Sequence, residues 1–340
     1  NSIISNTKNK IKAGLNFSSD SYDEFVFKSN IERTDRSFGG FFEYSFDNLS
    51  NFNLVFGLRY DNHNNLGSFF TPRLHFRYLF NDNFSIKGSA GTGRKIANIF
   101  AENQTLFVTN RIIKIQSTQG KIYGLNPEKA WNYGLGLSRS LYIGNPHQIT
   151  LSTDYYITDF IDQVIVDWEN PHEISFYNLE GESTAKSFQV EVDYYYKNFL
   201  NVRAAYKNYD VQVDYKSGHM QKPLLAKNRF FANLGLESKT TLTGKQWRWD
   251  LTYHYVGAQR LVHNLVDRPK GFSPSYSLWN TQLTRVLSKK FELYLGGENV
   301  GNYRQHSAII GANDPFGADF DAAQVYAPIF GGMVYLGLRL

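Results

Sequence analysis

The side chains best suited to chemistry in this chain are arginines, aromatics and carboxylates gathered in three irregular segments. Arg94, Glu102, Asn103, Arg111 and Lys114 fall in 94–129, and Trp168 and Tyr177 in 159–184. Arg304, His306, Asp314, Asp319 and Asp321 fall in 300–331. A guanidinium presents paired donors to an anion, and a ring face adds stacking and cation–π attraction. Such sets suit an anionic, planar ligand such as a catecholate chelate, and suit lipopolysaccharide phosphates equally well. Covalent chemistry has little to stand on. The chain has no cysteine, which excludes thiol catalysis, disulfides and Cys-ligated zinc. The eight histidines, His63, His75, His147, His172, His219, His254, His263 and His306, are dispersed, and none pairs at HxxxH or HExxH spacing. His219-Met220 alone falls short of a copper ligand set. There is no GxSxG elbow. Gly88, Gly91 and Gly93 precede Arg94 in the manner of a phosphate loop, but no Lys-Ser or Lys-Thr follows. They read instead as close-packing positions in a curved strand. The expectation is a binder or conduit, not an enzyme, with no metal and no cofactor.

The elements that must position these residues are strands. Period-two alternation runs through nearly the whole chain, and successive Cβ atoms of a strand point to opposite faces. Phe52, Leu54, Phe56, Leu58 and Tyr60 alternate with Asn53, Gly57, Arg59 and Asp61, with Val55 the exception. The same pattern recurs around Ile11–Phe17, Phe70–Phe80, Trp131–Leu137, Phe188–Tyr196, Trp247–Tyr255 and Val334–Leu340, and is weakest in 276–287. This gives about 14 strands of about 9–12 residues, the length a tilted strand needs to cross a bilayer. Soluble strands average about 5–6 residues.

The connections alternate in length. Short ones are expected at 47–50, 81–83, 143–147, 197–200, 239–245 and 288–290. Long ones are expected at 19–36, 61–68, 94–129, 159–184, 210–226, 257–275 and 300–331. Within 159–184, Val164–Trp168 and Ile174–Leu179 predict a hairpin around Glu169-Asn170-Pro171-His172. Short turns at one end and long loops at the other are the pattern of outer-membrane barrels. Phe46, Phe52, Phe80, Phe84, Tyr142, Phe199, Trp247 and Phe291 flank the short turns, with Phe17, Phe38, Tyr60 and Phe70 at the opposite ends. Two such bands mark two headgroup levels. The alternative is the dry core of a large sandwich, which has no need of strands this long.

Composition agrees. Of the 340 residues 16% are aromatic, too many for a disordered chain. No run approaches the roughly 18 apolar residues of a helical span. The net charge of +5 comes from Lys and Arg scattered singly, so no nucleic-acid partner is expected. Asn1 is not an initiator Met, and the chain is expected to be processed or part of a longer protein. The final strand is expected to close a barrel, ideally by pairing with the first, because closure removes edges.

Certain stretches then add a family likeness. These are Thr71-Pro72-Arg73-Leu74-His75, Gly93-Arg94-Lys95 with Phe100-Ala101-Glu102-Asn103, and Asn126-Pro127-Glu128-Lys129-Ala130-Trp131-Asn132-Tyr133. Asp154-Tyr155-Tyr156-Ile157-Thr158-Asp159-Phe160, Glu298-Asn299-Val300-Gly301-Asn302-Tyr303, and the segment from Asp314-Pro315-Phe316 through Val325-Tyr326-Ala327-Pro328-Ile329 to Leu340 complete the set. In order and spacing, over nearly the whole chain, they resemble the C-terminal barrel portion of TonB-dependent outer-membrane receptors in the form common in Bacteroidetes. Gly331-Gly332 stands where the family usually has Gly-Arg, and Leu340 where an aromatic terminal residue is usual. The second departure weakens the barrel-assembly signal.

The resemblance implies an all-β, transmembrane antiparallel β-barrel, residues 1–340 forming the C-terminal part of a barrel of about 22 strands. The plug domain and first strands would lie outside this chain. It implies import of a scarce ligand, most commonly a ferric siderophore, with cobalamin, haem, glycan or peptide as the open alternatives, by plug movement driven by an inner-membrane TonB complex. Polar-face residues Glu43, Arg59, Arg73, Arg77, Glu191, Asp193, Arg203, Arg248, Asp250, Glu292 and Glu298 would line the lumen and meet the plug, since unpaired charge in a confined space is costly. Arg94, Glu102, Asn103, Arg111, Trp168, Tyr177, Arg304 and His306 would meet the ligand on loops held by a rigid scaffold. Lipid, lipopolysaccharide and a surface lipoprotein are the further partners. A passive porin-like channel, a barrel enzyme, and a barrel subunit of a larger surface complex are the rival readings.

Overall fold

Alternating sequence becomes strand almost everywhere. The computed structural model describes residues 2–5, 8–26, 29–144, 146–262, 271–288 and 290–340. In chain order the strands are β1 (Ser2–Ser5), β2 (Asn9–Val26), β3 (Ser29–Asp47), β4 (Phe52–His63), β5 (Gly67–Asn81), β6 (Phe84–Lys95) and β7 (Ile112–Ile115). There follow β8 (Glu128–Tyr142), β9 (His147–Asp162), β10 (Val164–Asp167), β11 (Glu173–Asn178), β12 (Ser183–Tyr196) and β13 (Leu200–Tyr215). The last are β14 (Gly218–Gln221), β15 (Asn228–Glu237), β16 (Gln246–Val256), β17 (Tyr276–Ser288), β18 (Phe291–Glu298) and β19 (Met333–Arg339).

A large antiparallel sheet takes the order β1-β2-β3-β4-β5-β6-β8-β9-β12-β13-β15-β16-β17-β18-β19, with β14 paired to β13. Each long strand neighbours the next, as in an up-and-down barrel. Apart from the four-residue β1, the path holds the expected 14 long strands, running from 7 residues in β19 to 19 in β3. The pairing of last strand with first is not seen: among the described residues β1 and β19 stand at opposite ends of the order. Each therefore keeps one unpaired backbone edge, which an additional strand would have to cover.

Two expected loops are strand, and a third, 210–226, is mostly strand, in the end of β13 and in β14. Residues 19–26 and 29–36 continue β2 and β3, paired register by register out to Val26↔Ser29, and 27–28 lie outside the described residues. The 61–68 segment is a tight hairpin whose last pair is His63↔Gly67. In both, pairing outlasts the apolar stripe. Beyond Phe17↔Phe38 the face that carried Leu15 carries Ser19, Ser21 and Asp23, so the hydrophobic signal ends while the hydrogen-bond ladder continues.

The weak alternation of β17 also has a cause. Its register sets Trp279, Thr281, Leu283 and Arg285 opposite Tyr253, Leu251, Trp249 and Trp247. Thr281 and Arg285 thus sit on the apolar face. Each is accommodated by a tryptophan: Trp249 Nε1 donates to Thr281 Oγ1 at 2.9 Å, and the Arg285 guanidinium lies 4.7 Å from the Trp247 ring centre.

The chain forms two compact units: Asn1–Gly136, Tyr156–Lys186 and Val211–Met220 in the first, Leu137–Tyr155, Ser187–Asp210 and Gln221–Leu340 in the second. In each, the apolar strand faces are bare. Leu15 and Phe70 in the first unit, and Leu283, Leu293 and Leu336 in the second, are exposed, Leu336 to 77%. Buried apolar side chains lie mainly in the long connections: Ile99, Phe100, Ile165, Trp168, Ile174 and Phe176 in the first unit, and Ala226, Leu261, Val262, Ile310 and Ala323 in the second. Apolar strand faces left bare within each unit are the reverse of a soluble sandwich, whose inner faces pack on each other.

Candidate functional site

The polar faces carry their own ion pairs. In the first unit the register aligns Lys12, Glu43, Gly57, Arg73 and Gly91 in one transverse row. Glu43 accepts from Arg73 Nη2 at 2.6 Å and has Lys12 Nζ at 3.5 Å. Gly57 makes this possible, because a Cβ there would stand 2.6 Å from Arg73 Nε. Arg59 holds the buried Asp61 in a fork, Nε to Oδ2 at 2.6 Å and Nη2 to Oδ1 at 2.8 Å. Arg77 is exposed and has no ion-pair partner among the described residues. In the second unit Arg203 meets Asp193 at 2.6 Å and Glu191 at 3.5 Å, while Arg248 and Arg339 meet Glu292 at 3.5 and 3.6 Å. Asp250 and Glu298 are exposed on the same face. Lys12, Asp61 and Arg339 were not among the sequence candidates. Asp61 stands at i+2 from the chosen Arg59, which was its available signal, and Lys12 and Arg339 had only their places on the polar faces of alternating strands.

The long-loop end of the first unit is a packed cap. β10 and β11 form the expected hairpin, Val164↔Asn178 through Asp167↔Ser175. β11 also pairs in parallel with β7, Glu173↔Ile112 through Phe176↔Ile115, so segments 94–129 and 159–184 share one three-stranded sheet. Phe176 and Ile174 are fully buried at its centre. Asn178 satisfies its amide four ways: it accepts from Thr118 Oγ1 and the Asn126 backbone N–H, and donates to Asn126 O and Asp162 Oδ1, all within 3.1 Å. The β13–β14 turn joins through Lys216, whose ammonium donates to Gln116 Oε1 and whose backbone N–H donates to the Tyr177 hydroxyl at 3.0 Å.

A second latch ties the β2–β3 hairpin to segment 94–129. The Tyr123 hydroxyl donates to Glu24 and accepts from Arg33 Nη1 at 3.1 Å. Arg33 also donates to Asn98 and to Asp35, and its guanidinium lies 4.1 Å from the Tyr22 ring centre. Burial, then the hydrogen bond to Glu24, pushes the Tyr123 phenol up to about 12. Tyr177, buried and donating to Asp167 Oδ2 at 2.7 Å, is raised above the ordinary tyrosine range for the same two reasons. Glu173 is held below the usual carboxylate range by hydrogen bonds from Lys114 and Ser175.

The sequence-chosen loop residues divide accordingly. Arg111 and Trp168 come together inside the cap: Arg111 is buried, donates to Trp168 O at 2.7 Å and to Asn170 O at 3.3 Å, and faces the Trp168 ring, while Tyr177 packs in the cluster of Ile165, Val213 and Tyr215. Glu102 accepts from Lys95 at 2.6 Å, and Asn103 donates to Ile99 O at 2.8 Å. Arg94 lies at the end of β6, 5.0 Å from the Phe69 ring centre. In the second unit Arg304 and His306 are exposed on either side of Gln305, which is buried against Gln324, Tyr326 and Ala327. His263 lies outside the described residues, as do Asn145, Lys289 and 263–270 of the expected connections. Among the described residues no group of three or more His, Asp or Glu is placed to share a metal ion.

This geometry has known relatives. The solved ferric enterobactin receptor PfeA of Pseudomonas aeruginosa is similar at 13% identity over 98% of this chain and 52% of its own, with a TM-score of 0.70. The siderophore receptor PirA of Acinetobacter baumannii is similar at 12% over 99% and 52%, TM-score 0.68, and the copper transporter OprC at 13% over 98% and 54%, TM-score 0.67. At these identities the likeness is one of fold. The chain spans about half the length of the solved receptors it matches. No curated protein matches its sequence. The profile of the family described as TonB dependent receptor-like, beta-barrel, matches residues 5–300, and the chain belongs to that family.

Proposed function

We propose that this chain is the C-terminal part of the barrel of an outer-membrane receptor of a Gram-negative bacterium. The receptor imports a ferric siderophore or similar chelate by TonB-driven movement of a plug encoded outside these 340 residues. The observation that carries the reading is the inversion of polarity. Exposed Leu15, Leu283 and Leu336 face lipid, and the ion-paired faces of Glu43, Arg73, Arg203 and Glu292 line the lumen. About 14 strands here and a family barrel of about 22 leave about 8 to be supplied by preceding sequence, which would cover the free edges of β1 and β19. Arg59, Arg73, Arg77, Glu191, Asp193, Arg248, Asp250 and Glu298 would then surround the plug. The exposed Arg304 and His306, with Arg94, would meet ligand arriving at the long-loop end. That one structural neighbour is a ferric enterobactin receptor and another a copper transporter supports a metal-linked cargo.

The test is uptake of iron-55 carried by chelates, in cells that have lost the full-length gene or TonB. Uptake falling to background in both strains is the expected result. Uptake that survives loss of TonB would make the protein a passive channel.

A further inference from the structure

The apolar faces of β16 to β19 are almost free of charge. The strand register sets Trp249, Leu283, Leu295 and Leu336 in one row, and Trp247, Arg285, Leu293 and Leu338 in the next row toward the short turns. Tyrosines aside, Arg285 is the one ionisable side chain on these faces among the described residues. A guanidinium carries five donors and no acceptor. Arg285 has no carboxylate partner among the described residues, and its contact is the Trp247 ring, whose centre lies 4.7 Å away. A ring face attracts the cation but supplies no oxygen to its N–H groups. Glu292, one register step away, lies on the opposite face and already meets Arg248 and Arg339.

Depth narrows what can fill the fork. Arg285 stands three residues before β17 ends at Ser288, beside the short 288–290 turn. Arg139 repeats the arrangement three residues before β8 ends at Tyr142, beside the short 143–147 turn. It is exposed, has no ion-pair partner among the described residues, and shares its side of β8 with Leu137 and Leu141. Ser138 and Ser140 turn the other way, to bond Ser152 and Thr150. Short turns mark the periplasmic end of outer-membrane barrels. The leaflet at that level is made of glycerophospholipid, while lipopolysaccharide fills the other. Its phosphodiester groups offer paired oxygens that match a guanidinium fork. Trp247, half exposed beside Arg285, has the place of an interfacial indole at the same level.

Local charge narrows the headgroup. Lys245 and Lys290 are exposed in the two turns that border the Trp247–Arg285 row. No carboxylate shares the apolar face of β16 to β19, so a headgroup ammonium would find no partner there. A headgroup with net negative charge fits this surface better than a zwitterionic one.

We propose that Arg285 and Trp247 form a phospholipid-headgroup site on the outer wall of the barrel, at the periplasmic leaflet, and that it selects an anionic glycerophospholipid of the phosphatidylglycerol class over a zwitterionic one. The proposal rests on the membrane-barrel reading above and adds a specific lipid partner.

Native mass spectrometry of the purified intact receptor tests it. Wild type, Arg285→Gln and Arg285→Lys are titrated with phosphatidylglycerol, with phosphatidylethanolamine of the same acyl chains, and with lipopolysaccharide. One interfacial cation contributes about fivefold to the binding of an anionic lipid. Wild type should therefore hold phosphatidylglycerol at least about fivefold more tightly than phosphatidylethanolamine, and the preference should shrink as salt rises. The glutamine variant should lose about fivefold on phosphatidylglycerol and less than about twofold on the other two lipids. The lysine variant keeps the charge without the fork and should fall between wild type and glutamine. Equal wild-type binding of the two phospholipids, or phosphatidylglycerol binding unchanged in the glutamine variant, overturns the site. An equal loss on both phospholipids overturns it in favour of a packing role for Arg285. A loss confined to lipopolysaccharide overturns it by placing the short turns at the outer leaflet. Should the glutamine variant fail to fold, the lysine variant decides: a selective fall on phosphatidylglycerol supports the site, and the absence of one overturns it. TonB-dependent iron-55 uptake decides the receptor reading separately, and it should stay at the wild-type level in Arg285→Gln cells.

Discussion

At the residue scale the molecule depends on small side chains making room for charged ones. Gly57 lets Arg73 lie flat and reach Glu43. Gly57→Ala should push the guanidinium off, while global stability changes by less than about 1 kcal/mol, because the pair is half exposed. If Arg73 and Arg77 seat a plug, Arg73→Ala and Arg77→Ala should raise the leak conductance of the intact receptor in planar bilayers and leave its melting temperature nearly unchanged. An unaltered leak would remove both residues from the lumen assignment. The Tyr123 latch gives a pH signature. Its phenol is raised to about 12, so the neutral donor is favoured in the folded cap. That contribution is complete below the ordinary tyrosine pKa of about 10 and is lost as pH rises from there through about 12. Protection of segment 94–129 from protease should weaken over that interval in wild type, whereas Tyr123→Phe should lack this step.

At the element scale the cap is one folding unit assembled from separate connections. Phe176→Ala empties a fully buried site and should cost about 3–5 kcal/mol, confined to the cap. Hydrogen exchange should quicken together in 96–127 and 163–182 and stay slow in β3–β5. Exchange quickening in only one of the two segments would show that the β7–β11 pairing does not couple them. Here the sequence was only partly legible. The β10–β11 hairpin could be read because both its strands are apolar and flank Asn170-Pro171. The parallel β7–β11 pairing could not, since it joins residues about 60 apart through backbone hydrogen bonds that leave no pattern in side-chain type. Arg111, Trp168 and Tyr177 looked like ligand contacts because arginine and aromatics serve packing and recognition alike. Only their burial tells the two uses apart.

At the scale of the whole molecule the long strands and their neighbour order followed from period-two alternation, since burial on one side and water on the other writes itself directly into residue type. The lengths of β2 and β3 did not, because above Phe17 and Phe38 the apolar alternation breaks down, leaving only scattered Tyr22, Phe25, Val26 and Ile31 while the hydrogen-bond ladder continues. On the receptor reading proposed above, that change of polarity along one unbroken strand would mark where lipid ends.

The account's central claim is the direction in which the apolar faces point. This stretch has no cysteine, so once any cysteine elsewhere in the receptor is replaced, single spin labels can be placed along it in the intact receptor reconstituted into bilayers. Labels at Leu15, Leu58, Leu135, Leu283 and Leu293 should be accessible to oxygen dissolved in lipid and shielded from a water-soluble nickel chelate. Labels one residue away, at Asn16, Arg59, Gly136, Thr284 and Glu292, should be shielded from lipid-dissolved oxygen. If the leucine positions prove inaccessible to both reagents, the apolar faces meet each other in a dry interior, and the chain is not a membrane barrel.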